Sequence, residues 1–463
     1  MKPTVNIGSL VFVTAVTLTG CNIGPEYKRP DVSIPTTWQE SHDSKTAKWP
    51  STDWWHGFGS PDLNTYITQA ILANNDLAAA IARVREADAQ ATVAGAALLP
   101  TIGASFSALN ERVQATSSSY TNFRQYSPQL SASYMIDFWG KNRSAQAAAI
   151  ANSLASRHDQ ATIELTVITS VALTYFQSIE LRDRLNVAEA NLASGQTLLK
   201  GLRLQLTAGV ATALDVAQQE TTVSILSAAI PPLRQQLGQT NHALAILIGK
   251  PPELFETSTS TATLNDLSLP VVRPGLPSDL LARRPDIAAA EDQLIAANAN
   301  IAVARASFFP NIQLTASTGY ASTALSTLIR SSSNVYSVSA GLAQPIFDGG
   351  VLKGQYALAQ ARYDELLANY RKAIFSALGN VEDVMVDMQQ TDEQAQRLAV
   401  AVDKARRAHE IAKAQLHSGT VSILTVLNTE AALYSTQDAL IQARFSHTQA
   451  LVNLFGALGG GWQ

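Results

Sequence analysis

Hydrophobic and polar positions alternate with a period of two in four short stretches. In the first, Ile102, Ala104, Phe106 and Ala108 alternate with Thr101, Gly103, Ser105 and Ser107. In the second, Tyr126, Leu130, Ala132, Tyr134, Ile136 and Phe138 alternate with Ser127, Gln129, Ser131, Ser133 and Asp137. Ile312, Leu314, Ala316 and Tyr320 alternate with Asn311, Gln313, Thr315 and Ser317, and Tyr336, Val338, Ala340, Leu342 and Ile346 with Ser337, Ser339 and Gly341. That period belongs to a strand with two different faces. It predicts strands near 101–112, 126–138, 311–321 and 334–347. Each is about 10 residues long, enough to cross a membrane. The apolar face suits lipid, and the Ser, Thr, Gln and Gly face suits a watery lumen. The connecting segments Glu111–Gln125 and Ala321–Asn334 are polar and Ser-rich and read as exposed loops. Pro128 needs a place where no ladder donor is required.

Elsewhere the period is seven. Leu185, Leu192, Leu199 and Leu206 recur in step, with Leu181, Ala188, Gly195 and Leu202 four residues ahead. This is the a/d seam of a coiled coil. The segment from about Arg143 to Leu206 holds no Pro, and as one helix it reaches roughly 100 Å. Leu352–Leu416 is a second Pro-free stretch of the same kind. Pro100 and Pro310 end the helical patterns that precede the strands.

These elements form a repeat. Asp76-Leu77-Ala78-Ala79-Ala80 matches Asp286-Ile287-Ala288-Ala289-Ala290, and Leu99-Pro100-Thr101-Ile102 matches Phe309-Pro310-Asn311-Ile312. Leu206, Gly209, Leu214, Val216 and Glu220 match Leu416, Gly419, Leu424, Val426 and Glu430, always 210 residues apart. A constant offset over so many positions marks a duplicated unit. The expected division is a signal peptide over 1–20, an N-terminal segment over 21–59, a first repeat over 60–250, a Pro-, Thr- and Ser-rich linker over 251–276, a second repeat over 277–460 and a tail over 461–463. Four strands are too few for a soluble sandwich of this size and too few to close a barrel. An open sheet edge in lipid leaves backbone groups unpaired at high cost. Several chains must therefore share one barrel, and three give about 12 strands.

The N-terminus changes the picture further. Lys2, an apolar run from Leu10 to Leu18 and then Leu18-Thr19-Gly20-Cys21 describe a secretory signal peptide. Small residues followed at once by Cys look like a bacterial lipobox, so Cys21 is the expected acylation site. It is the sole cysteine, which excludes an intrachain disulfide. Asn22 follows rather than the Asp that signals inner-membrane retention. No 18-residue apolar run suggests a membrane helix. A net charge of −4 gives no basic field for nucleic acid.

Chemistry is not indicated. There is no G-x-S-x-G and no usable Ser-His-Asp arrangement. Gly140-Lys141 lacks the upstream Gly of a phosphate loop, and the seven His residues show no HExxH spacing, so neither catalytic nor metal-binding residues are expected. His409 and His417 are assigned to the surface, and the Gly456-Ala457-Leu458-Gly459-Gly460-Gly461 run to a flexible tail rather than a nucleotide site. Trp54-Trp55 suits either a packed belt or the lipid interface.

The chain resembles the TolC-like outer-membrane factors, in the lipoprotein branch typified by OprM and NodT. The resemblance covers the mature chain. It rests on Gly24-Pro25-Glu26-Tyr27-Lys28-Arg29-Pro30 after the lipobox and on the junctions Asp137-Phe138-Trp139-Gly140-Lys141 and Gln344-Pro345-Ile346-Phe347-Asp348-Gly349-Gly350. The sharpest motif is Leu281-Ala282-Arg283-Arg284-Pro285-Asp286-Ile287.

The resemblance implies an α+β membrane protein of TolC-like fold with a tandem repeat. A homotrimer would hold a 12-stranded β-barrel in the outer membrane and a long α-helical barrel in the periplasm. It also implies a periplasmic adaptor, an inner-membrane pump, proton-driven, outer-membrane lipid around the strands, and no cofactor beyond the lipid on Cys21. The adaptor is expected at the tip turns Ala208-Gly209-Val210 and Ser418-Gly419-Thr420. In relatives, carboxylates after the second tip turn line the gate. Here Val421, Thr425 and Asn428 stand there, uncharged. The gate candidates are therefore Asp215 with Val421, Ile423, Leu424 and Leu427, although capping its helix is the plainer role for Asp215 and one residue can do both. The expected function is a passive efflux duct for drugs and other small toxic molecules. The alternative on the same fold is the outer-membrane duct of a type I protein-secretion system.

Overall fold

The computed structural model describes residues 23–39, 49–116, 119–255, 261–272 and 274–462. Cys21 and the expected signal peptide lie outside the described residues. A short turn, Trp54–Phe58, leads to α1 (Pro61–Ala73) and α2 (Asn75–Ala96). The strands β1 (Thr101–Thr116) and β2 (Ser119–Ile136) follow, then α3 (Lys141–Thr207) and α4 (Ala213–Leu247). The second half gives α5 (Leu280–Arg283), α6 (Pro285–Ala306), β3 (Asn311–Tyr320), β4 (Asn334–Ala343), α7 (Val351–His417) and α8 (Ile423–Ala457). The starts of α2 and α6, β1 and β3, α3 and α7, and α4 and α8 all keep the 210-residue offset.

The chain falls into two compact units. Among the described residues, one lies within 23–30, 85–154 and 292–368, and the other within 31–84, 155–291 and 369–462.

The first unit holds the sheet, antiparallel in the order β1-β2-β3-β4. β1 and β2 are longer than expected. The segment Glu111–Gln125, read as a polar loop, continues both strands, with Arg112 paired to Asn122 and Gln114 to Tyr120. The alternation that marked the lower strands is lost there because the two faces exchange polarity, so a period-two search for one apolar face stops short. β2 and β4 also end earlier than expected, at Ile136 and Ala343. Pro128 stands opposite Phe106. The β2–β3 ladder stops at Gln129↔Gly319 and resumes as the single bridge Tyr126↔Ser322, so the missing N–H falls in the gap.

Both strand-to-helix junctions are built on an Asp. The Asp137 carboxylate accepts from the backbone N–H groups of Asn142 (2.8 Å) and Arg143 (2.9 Å). Asp348 accepts from Gly350 (2.9 Å) and Leu352 (2.8 Å), and these bonds, that to Leu352 foremost, hold its carboxyl below the ordinary value. Each carboxylate satisfies orphan donors at a helix N-terminus. Trp139 stacks on Phe309, ring centroids 4.7 Å apart, and its indole N–H donates to the Pro310 carbonyl.

The second unit has an aromatic and aliphatic core. Trp54, Phe58, Leu63, Ile67, Tyr175, Phe176, Leu244 and Phe455 meet there. Trp54 stacks on Phe455 at 4.6 Å, which places Trp54-Trp55 in protein rather than at a lipid interface.

The repeat reaches single hydrogen bonds. Asn74 caps α2 through its Oδ1 and donates to the Leu247 carbonyl at the end of α4 (2.8 Å). At the equivalent place, 210 residues on, Arg284 holds Asp286 by two bonds and donates to the Ala457 carbonyl at the end of α8 (3.0 Å). This is the physical content of the Arg-Arg-Pro-Asp motif. Gly249 and Gly459 end the same helices with φ 73° and 86°. A Cβ at either would stand 2.2 Å from the Ala73 carbonyl oxygen or 2.0 Å from that of Arg283. The Gly459–Gly461 run is therefore not a loose tail. Gly460 and Gly461 press on Leu165 and Ser51, and Trp462 meets His158 edge to face.

Candidate functional site

The register aligns the alternating side chains of all four strands. Ala132 faces Ala316, which faces Val338; Tyr134 faces Leu314, which faces Ala340; and Ile136 faces Ile312, which faces Leu342. With Ile102, Ala104 and Phe106 of β1 they make one continuous apolar face. The exposure of Ile102, Phe106, Val338 and Leu342, all above 60%, is what a lipid-facing surface requires. The other face is a hydroxyl and amide ladder. Thr315 bonds Ser339 at 2.6 Å, Ser317 bonds Ser337 at 2.9 Å, and the Gln313 amide donates to Ser133 at 3.0 Å. These groups satisfy one another while leaving further donor and acceptor capacity for water. β1 and β4 are free edges, so the sheet does not close within one chain.

The helical unit carries the two tip turns. Ala208, Gly209, Val210, Ser418, Gly419 and Thr420 are all exposed. Gly209 (φ 73°) and Gly419 (φ 70°) hold the left-handed conformation that ends α3 and α7. Beneath them Leu199, Leu202, Val216, Ala412, Ile423 and Val426 form a small core, with Leu416 and Leu427 packed on it. Leu181, Leu199 and Leu202 of the heptad seam are buried, whereas Leu206 is exposed close to the turn. Arg203 and Glu220 pair across α3 and α4 at 2.7 Å.

The gate candidates separate in this setting. Asp215 completes a capping box with Thr212. Its carboxylate accepts from the Thr212 N–H (2.8 Å) and hydroxyl (2.7 Å), and the Thr212 oxygen accepts from the Asp215 N–H. Ile423 is only 4% exposed, consumed by the chain's own tip core, so it has no free surface for a gate. Leu427 packs on that core, Val421 is half-buried, and Leu424 stands 52% exposed.

Sequence reasoning missed a buried polar cluster. His409, expected at the surface, is buried, and burial pushes its imidazole down in pKa. Glu430 is 1% exposed and accepts from the Tyr434 hydroxyl, whose pKa is pushed up by burial and then by that bond. His409 and Glu430 line a cavity of about 460 Å³ with Lys413, His417 and Leu202. The signal was present: Glu430 falls on the stripe of buried α8 positions Ile423, Val426 and Leu433, where a carboxylate is out of character. Gln219 does the same on α4, with its amide donating to the Gly195 carbonyl at 3.0 Å. Among the described residues no group of three His, Cys, Asp or Glu side chains is arranged to hold a metal.

Higher in this unit Glu180 and Asp438 share Arg184. The guanidinium reaches Glu180 at 3.1 Å and Asp438 at 2.6 Å. Burial pushes the Glu180 carboxyl above its ordinary value, and Arg184 opposes the shift.

Comparison with known proteins agrees with this geometry. The family model for the outer membrane efflux protein matches residues 66–250 and 276–460. The pyoverdine export outer membrane protein OpmQ of Pseudomonas putida is 40% identical over 441 residues, 93% of each chain. The cation efflux system protein CusC of Escherichia coli is 31% identical over 465 residues, 98% of each. Among solved structures, the outer-membrane channel OprN superposes with a TM-score of 0.89 at 27% identity, over 96% of this chain and all of that one. The faces of the sheet, the duplicated helices and these matches agree: the chain belongs to the outer membrane efflux protein family and is an outer-membrane efflux channel of TolC-like fold, its four strands entering a trimeric barrel.

Proposed function

We propose that this channel is the passive outer-membrane duct of a tripartite pump whose cargo is a small polar solute of the siderophore class. The hydroxyl and amide ladder on one sheet face carries this reading. A wall of Ser, Thr and Gln offers water-like hydrogen bonding to a hydrated solute without a binding pocket to retain it. The 40% identity to a protein named for pyoverdine export favours a siderophore over the cation named for the 31% relative. The tip turns Ala208-Gly209-Val210 and Ser418-Gly419-Thr420 take the periplasmic adaptor, and a proton-driven inner-membrane pump supplies the energy. Cys21, outside the described residues, carries the lipid that adds a second anchor to the barrel. Closure rests on apolar contacts of Leu424, Val421 and Leu427 between copies rather than on an ion-pair lock.

The test is a gene deletion complemented from a plasmid, with siderophore measured in the medium and in the periplasm. The expected result is periplasmic accumulation in the deletion and restored export by the intact gene. Unchanged siderophore export together with loss of a secreted protein would place the channel in a protein-secretion system instead.

A further inference from the structure

The β1–β2 hairpin outgrows the rest of the sheet. β3 and β4 pair over 10 residues each, whereas β1 and β2 continue to Thr116 and Ser119. Along this extension the faces exchange character. Up to the pair Ala108↔Tyr126, the even-numbered positions form the apolar, lipid-facing side. Beyond it the same side carries Asn110 opposite Arg124, Arg112 opposite Asn122 and Gln114 opposite Tyr120. The apolar residues Leu109, Val113 and Phe123 have moved to the other side, which also takes the one acid, Glu111.

The exchange marks where the hydrocarbon ends. Tyr126 stands at the boundary, where aromatic residues with a polar tip are favoured. Arg124 lies two residues above it, and Arg112 lies four residues above Ala108. With a rise of about 3.3 Å per residue and a strand tilt of about 40°, these are heights of roughly 5 and 10 Å. The polar headgroup layer is about 5–8 Å thick on each side of the hydrocarbon, so Arg124 stands within it and Arg112 just beyond its outer edge. Both side chains are exposed and braced on their own face: the Arg112 guanidinium sits over the Tyr120 ring at 4.5 Å, and the Arg124 Nε donates to Asn110 at 3.4 Å. Bracing limits the rotamer freedom lost on binding, and each guanidinium keeps further N–H donors. These three rungs hold no acidic residue on this side.

We propose that Arg112 and Arg124 form a binding site for the phosphate groups of outer-leaflet lipid, six guanidiniums in the trimer. A planar fork takes a phosphate through two parallel N–H bonds, and the pair stands on diagonal positions of adjacent strands. The site rests on the membrane crossing of the strands and is independent of the cargo.

The experiment places purified trimers in nanodiscs of phosphatidylcholine doped with bisphosphorylated lipid A, with monophosphorylated lipid A, or with neither. Lipid retained per trimer is counted by native mass spectrometry. Wild type is expected to hold bisphosphorylated lipid A at least tenfold more strongly than the doubly substituted Arg112→Gln/Arg124→Gln trimer, with the monophosphorylated lipid between. Arg112→Lys/Arg124→Lys is expected to recover part of the retention, which separates charge from folding. Equal retention by the wild-type and Gln trimers would overturn the proposal. So would inorganic phosphate at millimolar concentration displacing the lipid completely, which would reduce the site to an adventitious ion only.

Discussion

At the scale of single residues, two kinds of position are fixed by physics that a substitution exposes. Gly249 and Gly459 combine positive φ with a neighbouring carbonyl closer than any Cβ tolerates. Ala at either costs at least about 1–2 kcal/mol from the backbone alone, and the clash adds to it. Gly249→Ala and Gly459→Ala are expected to lower the thermal midpoint of the purified channel. Gly354→Ala, with open space around it inside α7, should leave the midpoint unchanged or raise it. Arg184 is the second case. Removing it as Arg184→Met leaves the buried Glu180 carboxylate without its cation, for a loss of about 3 kcal/mol. Glu180 itself behaves differently. Its folded pKa is raised by burial, so its contribution is fully present below the unfolded value and is lost as pH rises through the folded value. The midpoint of Glu180→Gln relative to wild type should therefore become more favourable as pH rises above the ordinary carboxylate range. A difference that runs the other way would show that Arg184 more than offsets the burial.

At the scale of elements, the tips and the strands behave as separate devices. Trp in place of Gly209 or Gly419 is expected to abolish efflux, read as loss of drug or siderophore export, while trimers still assemble. Unchanged export would remove the tips from the docking surface. For the gate, Asp215→Asn keeps an oxygen for the Thr212 cap, so the pore should stay closed with a lower preference for cations in bilayer recordings at low salt. Leu424→Ser should open it, since Leu424 is the large apolar side chain that stands exposed after the second turn. Open Asp215→Asn pores with unaltered ion preference would assign closure to other residues. The elements were legible in the chain because their periods are strict: the Pro-free stretches became two 67-residue helices within two residues of the expected ends. What stayed hidden had mixed signals. The hairpin above Ala108 carries two opposed alternations, and residue type alone sets His409 at the surface and Ile423 in a gate although helical phase turns both inward. Glu430 breaks the apolar stripe of α8, and a carboxylate there reads as exposed until the helix is phased.

At the scale of the whole molecule, the sheet decides the architecture. Four strands with free β1 and β4 edges expose unpaired N–H and C=O groups that hydrocarbon cannot satisfy. Partner copies pair those edges, and the hydroxyl ladders of three chains then line one water-filled path. The duct therefore exists only in the assembly, and the most direct measurement is the mass of the purified channel. Light scattering with the detergent contribution removed is expected to give three copies in a single peak. A detergent-stable monomer that inserts into bilayers and conducts would contradict the account, because one chain would then have closed a barrel that its sheet leaves open.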